Sequence, residues 1–168
     1  MLTEYCFQGK LGQFCLLMED EFLIGIEYAG SRPNHVREVL ARYLDLDGIV
    51  PMETPAARAV QDWLERYAAG QERDFALALR LYGTDFQRRV WEELRRVGYG
   101  ETIPYSELAR RVGAVSSRAV GTAVGHNPIP IVVPCHRILR RDGSLGQFSS
   151  GDGPETKARL LRIEGALL

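Results

Sequence analysis

Along the first thirty residues the apolar positions fall as they do in strands. Thr3-Glu4-Tyr5-Cys6-Phe7 alternates, Gly9-Lys10-Leu11-Gly12 reads as a turn, and the apolar runs Gln13 to Met18 and Phe22 to Tyr28 are split by Glu19-Asp20-Glu21. The period then lengthens. Val36, Val39, Leu40 and Tyr43 share one helical face, with Asn34 placed to cap it. Thr54-Pro55 opens a second helix that Gly70 closes, proline standing where a missing N–H is harmless. After an extended connector with Phe75, Leu77, Leu79 and Leu81 alternating, the chain turns helical. Thr84 and Gln87 form a capping box that starts a helix with Phe86, Val90, Leu94 and Val97 on one side. Two short helices follow, from about Ser106 to Val112 and, capped by Ser116 or Ser117, to about Gly125. Gly113-Ala114-Val115 turns the chain between them. The pattern predicts an α/β N-terminal domain over residues 1–80, a small antiparallel sheet plus helices. A mainly helical domain over residues 81–168 follows, built on a winged helix-turn-helix.

Composition changes this picture little, and charge changes it more. With 45% apolar and 26% charged residues the chain is an ordinary globular one, and no run approaches the roughly 18 apolar residues a membrane span needs. Glu4 and Gln8 interrupt any signal-peptide core, so the expectation is a cytoplasmic protein with no membrane association. The net charge of −1 conceals an asymmetry: residues 1–83 carry 8 basic against 13 acidic side chains, residues 84–168 carry 13 against 9. Only the C-terminal half is suited to a polyanion. Of the three cysteines, Cys6 and Cys15 fall in strand patterns and read as core; no CxxC or Cys/His cluster suggests a metal.

Candidate chemistry concentrates after residue 100. Two short helices around a glycine-containing turn suit DNA binding, although the same pattern joins helices in many proteins that never touch DNA. The segment Arg118-Ala119-Val120-Gly121-Thr122-Ala123-Val124-Gly125 has one long polar side chain among small ones. Such a helix can approach sugar and phosphate closely, but it lacks the Asn, Gln or further Arg that read base edges; tight packing against a neighbour would call for the same small residues. Downstream, Asn127-Pro128-Ile129-Pro130-Ile131-Val132-Val133-Pro134 prescribes a rigid, irregular path. It delivers Cys135 flanked by His136 and Arg137. Cysteine reacts as thiolate, and nearby cations lower its pKa, so Cys135 is the candidate nucleophile.

These motifs, in order, resemble one family. Thr84-x-Phe86-Gln87-x-x-Val90-Trp91, Ile103-Pro104-Tyr105-x-x-Leu108-Ala109, Arg118-Ala119-Val120-Gly121, Asn127-Pro128, Pro134-Cys135-His136-Arg137 and Gly143-x-Leu145 are similar to the O6-alkylguanine-DNA alkyltransferases over residues 84–151. The resemblance implies direct, irreversible transfer of an alkyl group from O6-alkylguanine, and possibly O4-alkylthymine, in double-stranded DNA to Cys135, without cofactor or metal and by a monomer. It implies that His136 takes the thiol proton, that Glu164 orients His136, and that Asn127 braces the turn before Cys135. Because O6 is inaccessible inside a duplex, the base must be flipped out. Arg118 is implied to fill the vacated stack, and Tyr105 to meet the flipped base and its phosphate. Main-chain groups of Cys135 and Ile138 would bond the base, Ser149 would lie near O6, Phe148 would wall the pocket, and Arg137 belongs to the same DNA- and base-binding set.

Departures from the family pattern carry expectations of their own. Phe148-Ser149-Ser150-Gly151 stands where Tyr and Gly-Gly are usual, so the pocket loses a hydroxyl and Ser150 narrows it against bulky alkyl groups. Five residues separate Gly151 from Lys157, two more than is usual. The spacing of Cys6, Cys15 and His35 does not reproduce the zinc set of some members, so no metal is expected. Three rival readings fit less well. A non-catalytic alkyltransferase-like damage-binding protein would lack Cys135, and a helix-turn-helix regulator would need polar base readers on the third helix. A cysteine hydrolase would turn over, whereas an S-alkyl cysteine has no easy route back to thiol.

Overall fold

The computed structural model describes residues 1–167. The N-terminal pattern folds as a meander, with β1 (Leu2–Gly9), β2 (Gly12–Glu19) and β3 (Phe22–Tyr28) pairing antiparallel. The sheet is mixed, however, where an antiparallel one was expected. The two-residue β4 (Val50–Pro51) pairs parallel with β1 through Thr3↔Val50 and Glu4↔Pro51, and the strand order is β3-β2-β1-β4. At the opposite edge the 75–81 connector makes a single bridge instead of a strand. Leu23 N–H donates to Ala78 O, and Arg80 N–H donates to Leu23 O.

Helix α1 (His35–Leu40) buries Val36, Val39 and Leu40 as its period requires. Asn34 does not cap it: the residue sits in the left-handed region (φ 62°) and its side chain makes no capping bond. Glu27 on β3 does that work, its carboxylate accepting from the first-turn amides of Val36 and Arg37. Helix α2 (Pro55–Ala68) is capped by Thr54, whose hydroxyl accepts from Ala57 N–H at 3.1 Å. It turns Val60, Trp63, Leu64 and Tyr67 inward.

In the second half α3 (Asp85–Leu94) begins at the Thr84/Gln87 capping box. Helices α4 (Tyr105–Val112) and α5 (Ser117–Gly125) form the helix-turn-helix, with Gly113 in the left-handed turn (φ 67°) and Ser116 capping α5. Buried Trp91 on α3 donates through Nε1 to Ala123 O of α5 at 2.9 Å, which fixes the third helix from behind. A parallel pair, β5 (Ile103–Pro104) with β6 (Ile138–Leu139), ties the entry of α4 to the chain just beyond Cys135. Helix α6 (Pro154–Ile163) closes the fold, and Glu164 is its C-cap.

One hydrophobic core crosses the boundary drawn near residue 80, running from Phe14 and Trp63 through Trp91 to Val133 and Leu160. Main-chain bonds reinforce it. Ile26 N–H donates to Pro128 O at 2.9 Å, Ser31 N–H to Gly151 O at 2.9 Å, and Gly151 N–H to Tyr28 O at 3.2 Å. A Cβ at Gly30 would stand 2.0 Å from Gly151 O, so only glycine allows this approach. The chemistry of the C-terminal half is thereby buttressed by the N-terminal sheet. No helix of the described residues is long and apolar enough to cross a membrane.

The reading of Cys6 and Cys15 as core is overturned. They are register partners on β1 and β2, Cys6 exposed and Cys15 half-buried, and they form a disulfide across the hairpin. Period 2 placed them on a shared face, but the apolar partners of these strands, Phe7, Phe14 and Leu16, take the inner positions. With Glu4 they form the one cluster among the described residues that could surround a cation, yet sulfurs bonded to each other offer no thiolate to it. A thiol count tests the assignment. Denatured without reductant, the chain should show one titratable thiol, Cys135, and three after reduction; three thiols before reduction would dissolve the disulfide.

Candidate active site

The local sequence dictates how Cys135 is presented. From Asn127 the chain is buried throughout to Ile138. Prolines 128, 130 and 134 deny it a helix. Asn127 bridges the bend: its Nδ2 donates to Val133 O at 2.8 Å and its Oδ1 accepts from Ile129 N–H at 3.0 Å. Between them Ile131 is held at φ 73°, costly for a β-branched residue and sustained by the bond from Val133 N–H to Ile129 O. The segment ends in a 3-10 turn, Cys135–Arg137.

Cys135 lies on the floor of a cavity of about 680 Å³. Tyr105, Arg118, Gly121, Asn127, Phe148, Ser149 and Ser150 also line it, so the helix-turn-helix forms one rim and the 148–151 loop the other. The structure thus gathers most of the residues singled out from sequence around one space. Arg118, on the first turn of α5, is exposed, and Phe148 and Ser150 are buried. Ser149 Oγ donates to Gly125 O at 3.3 Å. Among the lining residues that the sequence did not single out, Arg32 and His35 come from the N-terminal half. His35 Nε2 bonds the same Gly125 O at 2.7 Å, and Arg32 Nη1 reaches Ser149 Oγ at 3.5 Å.

Electrostatics departs from the expectation that cations lower the Cys135 pKa. Burial pushes the thiol up, and the hydrogen bond from Asn127 and the charge of Lys157 bring it only part of the way back. Lys157 is itself fully buried, its Nζ donating to Ile138 O at 2.5 Å, and burial brings its ammonium down to about 8. The cysteine therefore rests as a thiol, and its proton needs an acceptor. Tyr105, raised by burial and then by the neighbouring Cys135, keeps its hydroxyl proton and remains a donor facing the cavity.

Behind Cys135 lies a sealed polar cluster. His136 is wholly buried, with Nε2 2.6 Å from Glu164 Oε2. A carboxylate only accepts, so Nε2 carries the proton, and Nδ1, which has no hydrogen-bond partner in the protein, holds the free lone pair. Burial pushes His136 down despite the pull of Glu164, so the imidazole is neutral and able to accept. Burial alone would raise Glu164, but bonds from His136, Arg137 and Tyr67 outweigh it and hold the carboxyl well below the usual range.

One assignment needs correction. Arg137 does not line the cavity. It is buried, its Nε and Nη2 donate to the two oxygens of Glu164 at 2.8 and 3.1 Å, and its Nη1 donates to Val97 O at 2.7 Å. Charge made it look like a DNA contact, but as the residue after His136 its side chain is carried inward. Ile138, expected to offer main-chain groups to a base, stands just outside the cavity lining; its carbonyl accepts Lys157 Nζ and keeps a second lone pair. Sequence reasoning also missed Tyr67, whose hydroxyl donates to Glu164 Oε2 at 2.5 Å and stands 3.4 Å from His136 Nε2. It had no signal beyond membership of an apolar stripe on α2.

Comparison with known proteins agrees with this geometry. The DNA-binding domain of 6-O-methylguanine DNA methyltransferase, taken as a family profile, matches residues 85–166. A methylated-DNA–protein-cysteine methyltransferase of Mycobacterium bovis is 48% identical over 104 residues, covering 61% of this chain and 62% of that protein. The protein of the same name from Mycolicibacterium paratuberculosis is 46% identical over 114 residues, covering 67% and 68%. The crystal structure of Mycobacterium tuberculosis OGT in complex with DNA superposes with a TM-score of 0.81 at 31% identity, over 98% of this chain and 94% of that one. In sequence, then, the match to the first of these relatives spans somewhat less than two thirds of its length.

The correction of Arg137 is open to test. Arg137→Met should destabilise the fold by about 3–5 kcal/mol, because it leaves the buried Glu164 carboxylate without its cation. Urea denaturation measures this. Unchanged stability with weakened DNA binding alone would return Arg137 to the DNA surface.

Proposed function

The chain belongs to the methylated-DNA–protein-cysteine methyltransferase family, and we propose that it repairs DNA by taking the alkyl group of O6-alkylguanine onto its own Cys135. A single observation carries this reading. A buried thiol forms the floor of a cavity between a helix-turn-helix and a closed loop, with a neutral histidine sealed behind it.

The steps follow from the groups present. His136, through Nδ1 and directly or by one water, takes the proton of Cys135, and Glu164 stabilises the imidazolium that forms. The sulfur attacks the alkyl carbon in line; the S–C bond forms as the C–O6 bond breaks, and the electron pair passes to guanine. A proton then neutralises the base, so the net change is exchange of the thiol proton for the alkyl group. Lys157 stabilises the transient thiolate, and the Tyr105 hydroxyl is a donor on the side from which the base enters. A thioether offers no easy return to thiol, so each chain acts once.

Reaching O6 in a duplex requires flipping the base at a cost of a few kcal/mol, and Arg118, exposed on the first turn of α5, is the side chain suited to fill the gap. The small residues after it let α5 lie close to the backbone. Phosphate contacts from the basic half supply the affinity, so binding should weaken as salt rises. The protein works as a monomer in the cytoplasm on this reading, and Ser150 at the cavity wall favours methyl over bulky adducts.

Stoichiometry tests the reaction. One alkyl group per chain should appear, its mass on the peptide bearing Cys135; turnover beyond one equivalent would overturn the proposal. Arg118→Ala should slow single-turnover transfer from saturating duplex far more than transfer from free O6-alkylguanine, which needs no flipping. Equal slowing on both would assign Arg118 to the pocket or the fold.

A further inference from the structure

Tyr67 lies in the half of the chain that carries none of the family motifs quoted above, yet its hydroxyl ends inside the cluster behind Cys135. Helix α2 brings it there because Trp63 and Tyr67 share its buried face, the two rings stacked at 5.2 Å, and the Tyr99 ring meets Tyr67 edge-on at 6.2 Å. The ring is thus fixed from two sides, and with it the position of the hydroxyl oxygen.

We infer that Tyr67 is a positioning residue for alkyl transfer: its hydroxyl holds one oxygen of Glu164 and thereby sets how strongly His136 takes the thiol proton. The inference rests on the alkyl-transfer reading. Glu164 Oε2 receives three donors, Tyr67 Oη at 2.5 Å, His136 Nε2 at 2.6 Å and Arg137 Nη2 at 3.1 Å, while Oε1 receives Arg137 Nε at 2.8 Å and Gly100 N–H at 3.1 Å. Donors that share one oxygen compete for its charge. With Tyr67 in place, less of that charge is available to Nε2–H, and the imidazolium formed during transfer is stabilised less. Remove the hydroxyl, and His136 becomes the stronger base.

The groups that face His136 make the sign definite. Glu164 favours the imidazolium, whereas Arg137 and Lys157 oppose it. Cys135 is the neighbour whose proton is exchanged, and Tyr67 reaches both Oε2 and, at 3.4 Å, Nε2 itself. Tyr99 packs on Tyr67 and donates to Ile163 O at 3.1 Å, so it is not a competing donor to the carboxylate. A hydroxyl there only to complete the core would need an acceptor, but not one shared with the base of the reaction.

The test compares two variants of opposite character in the full chain. Single-turnover transfer from saturating O6-methylguanine duplex is measured between about pH 5 and about pH 9; its acid limb reports protonation of His136. For Tyr67→Phe the limb should move to higher pH, and a move of about one unit slows transfer about tenfold at pH values below both limbs. Above the limb the rate should be near that of the wild type. Replacing Tyr67 by 3-fluorotyrosine keeps the ring but makes the hydroxyl a stronger donor, so its limb should move to lower pH. If Tyr67→Phe does not fold, the fluorinated protein decides alone. An unmoved limb in the folded variants, movement in one direction in both, or equal slowing at every pH would overturn the inference. Absence of transfer in the wild-type protein would instead overturn the alkyl-transfer reading.

Discussion

Everything at the active site depends on one buried carboxylate. Glu164 caps the last helix, is almost wholly removed from solvent, and is met by donors from three separate stretches of chain: Tyr67, Gly100, and the pair His136 and Arg137. A lone carboxylate in such a place would cost several kcal/mol or take up a proton. Here five donor atoms and the Arg137 charge keep it ionised. Because Arg137 supplies the compensating cation, His136 can remain neutral beside a negative charge, with Nδ1 left without a hydrogen-bond partner in the protein.

Cys135 imposes the opposite requirement. It must be rigidly placed and screened from water, and burial then disfavours the thiolate that reacts. The loop from Asn127 to Pro134 meets the first demand with three prolines, one bond donated and one accepted by the Asn127 side chain, and a strained Ile131. Asn127 and Lys157 ease the second in part, and on the proposed reaction His136 supplies the remainder. On the proposed reading, such an arrangement keeps the nucleophile quiet until a substrate arrives, which suits a protein that reacts once.

Much of this was legible in the sequence, and the limits were physical. Strands and helices followed their apolar periods, and the Thr84/Gln87 capping box, the Thr54-Pro55 start and the Gly113 turn appeared where their local chemistry placed them. The two-residue β4 escaped notice because nothing local distinguishes it; it exists only by pairing with β1. Asn34 misled because a favoured cap residue was displaced by Glu27, distant in sequence. The linear motif singled out Cys135, and His136 with Glu164, a pair the fold brings to 2.6 Å, but a motif cannot say which way a side chain turns, so Arg137 was placed on the DNA side. Tyr67 was invisible for the same reason, since period 3.6 marks a tyrosine as buried but does not reveal what its hydroxyl meets.

The central claim is that Glu164 holds His136 as a neutral base with its proton on Nε2 and its lone pair on Nδ1. Nitrogen-15 NMR of the imidazoles reads this directly, with His35 and His126 assigned through single substitutions. At neutral pH the His136 signals should show one protonated nitrogen, Nε2, and one bare nitrogen, Nδ1. An imidazolium with both nitrogens protonated, or a proton on Nδ1, would contradict the account, because in neither form does Nδ1 hold a lone pair.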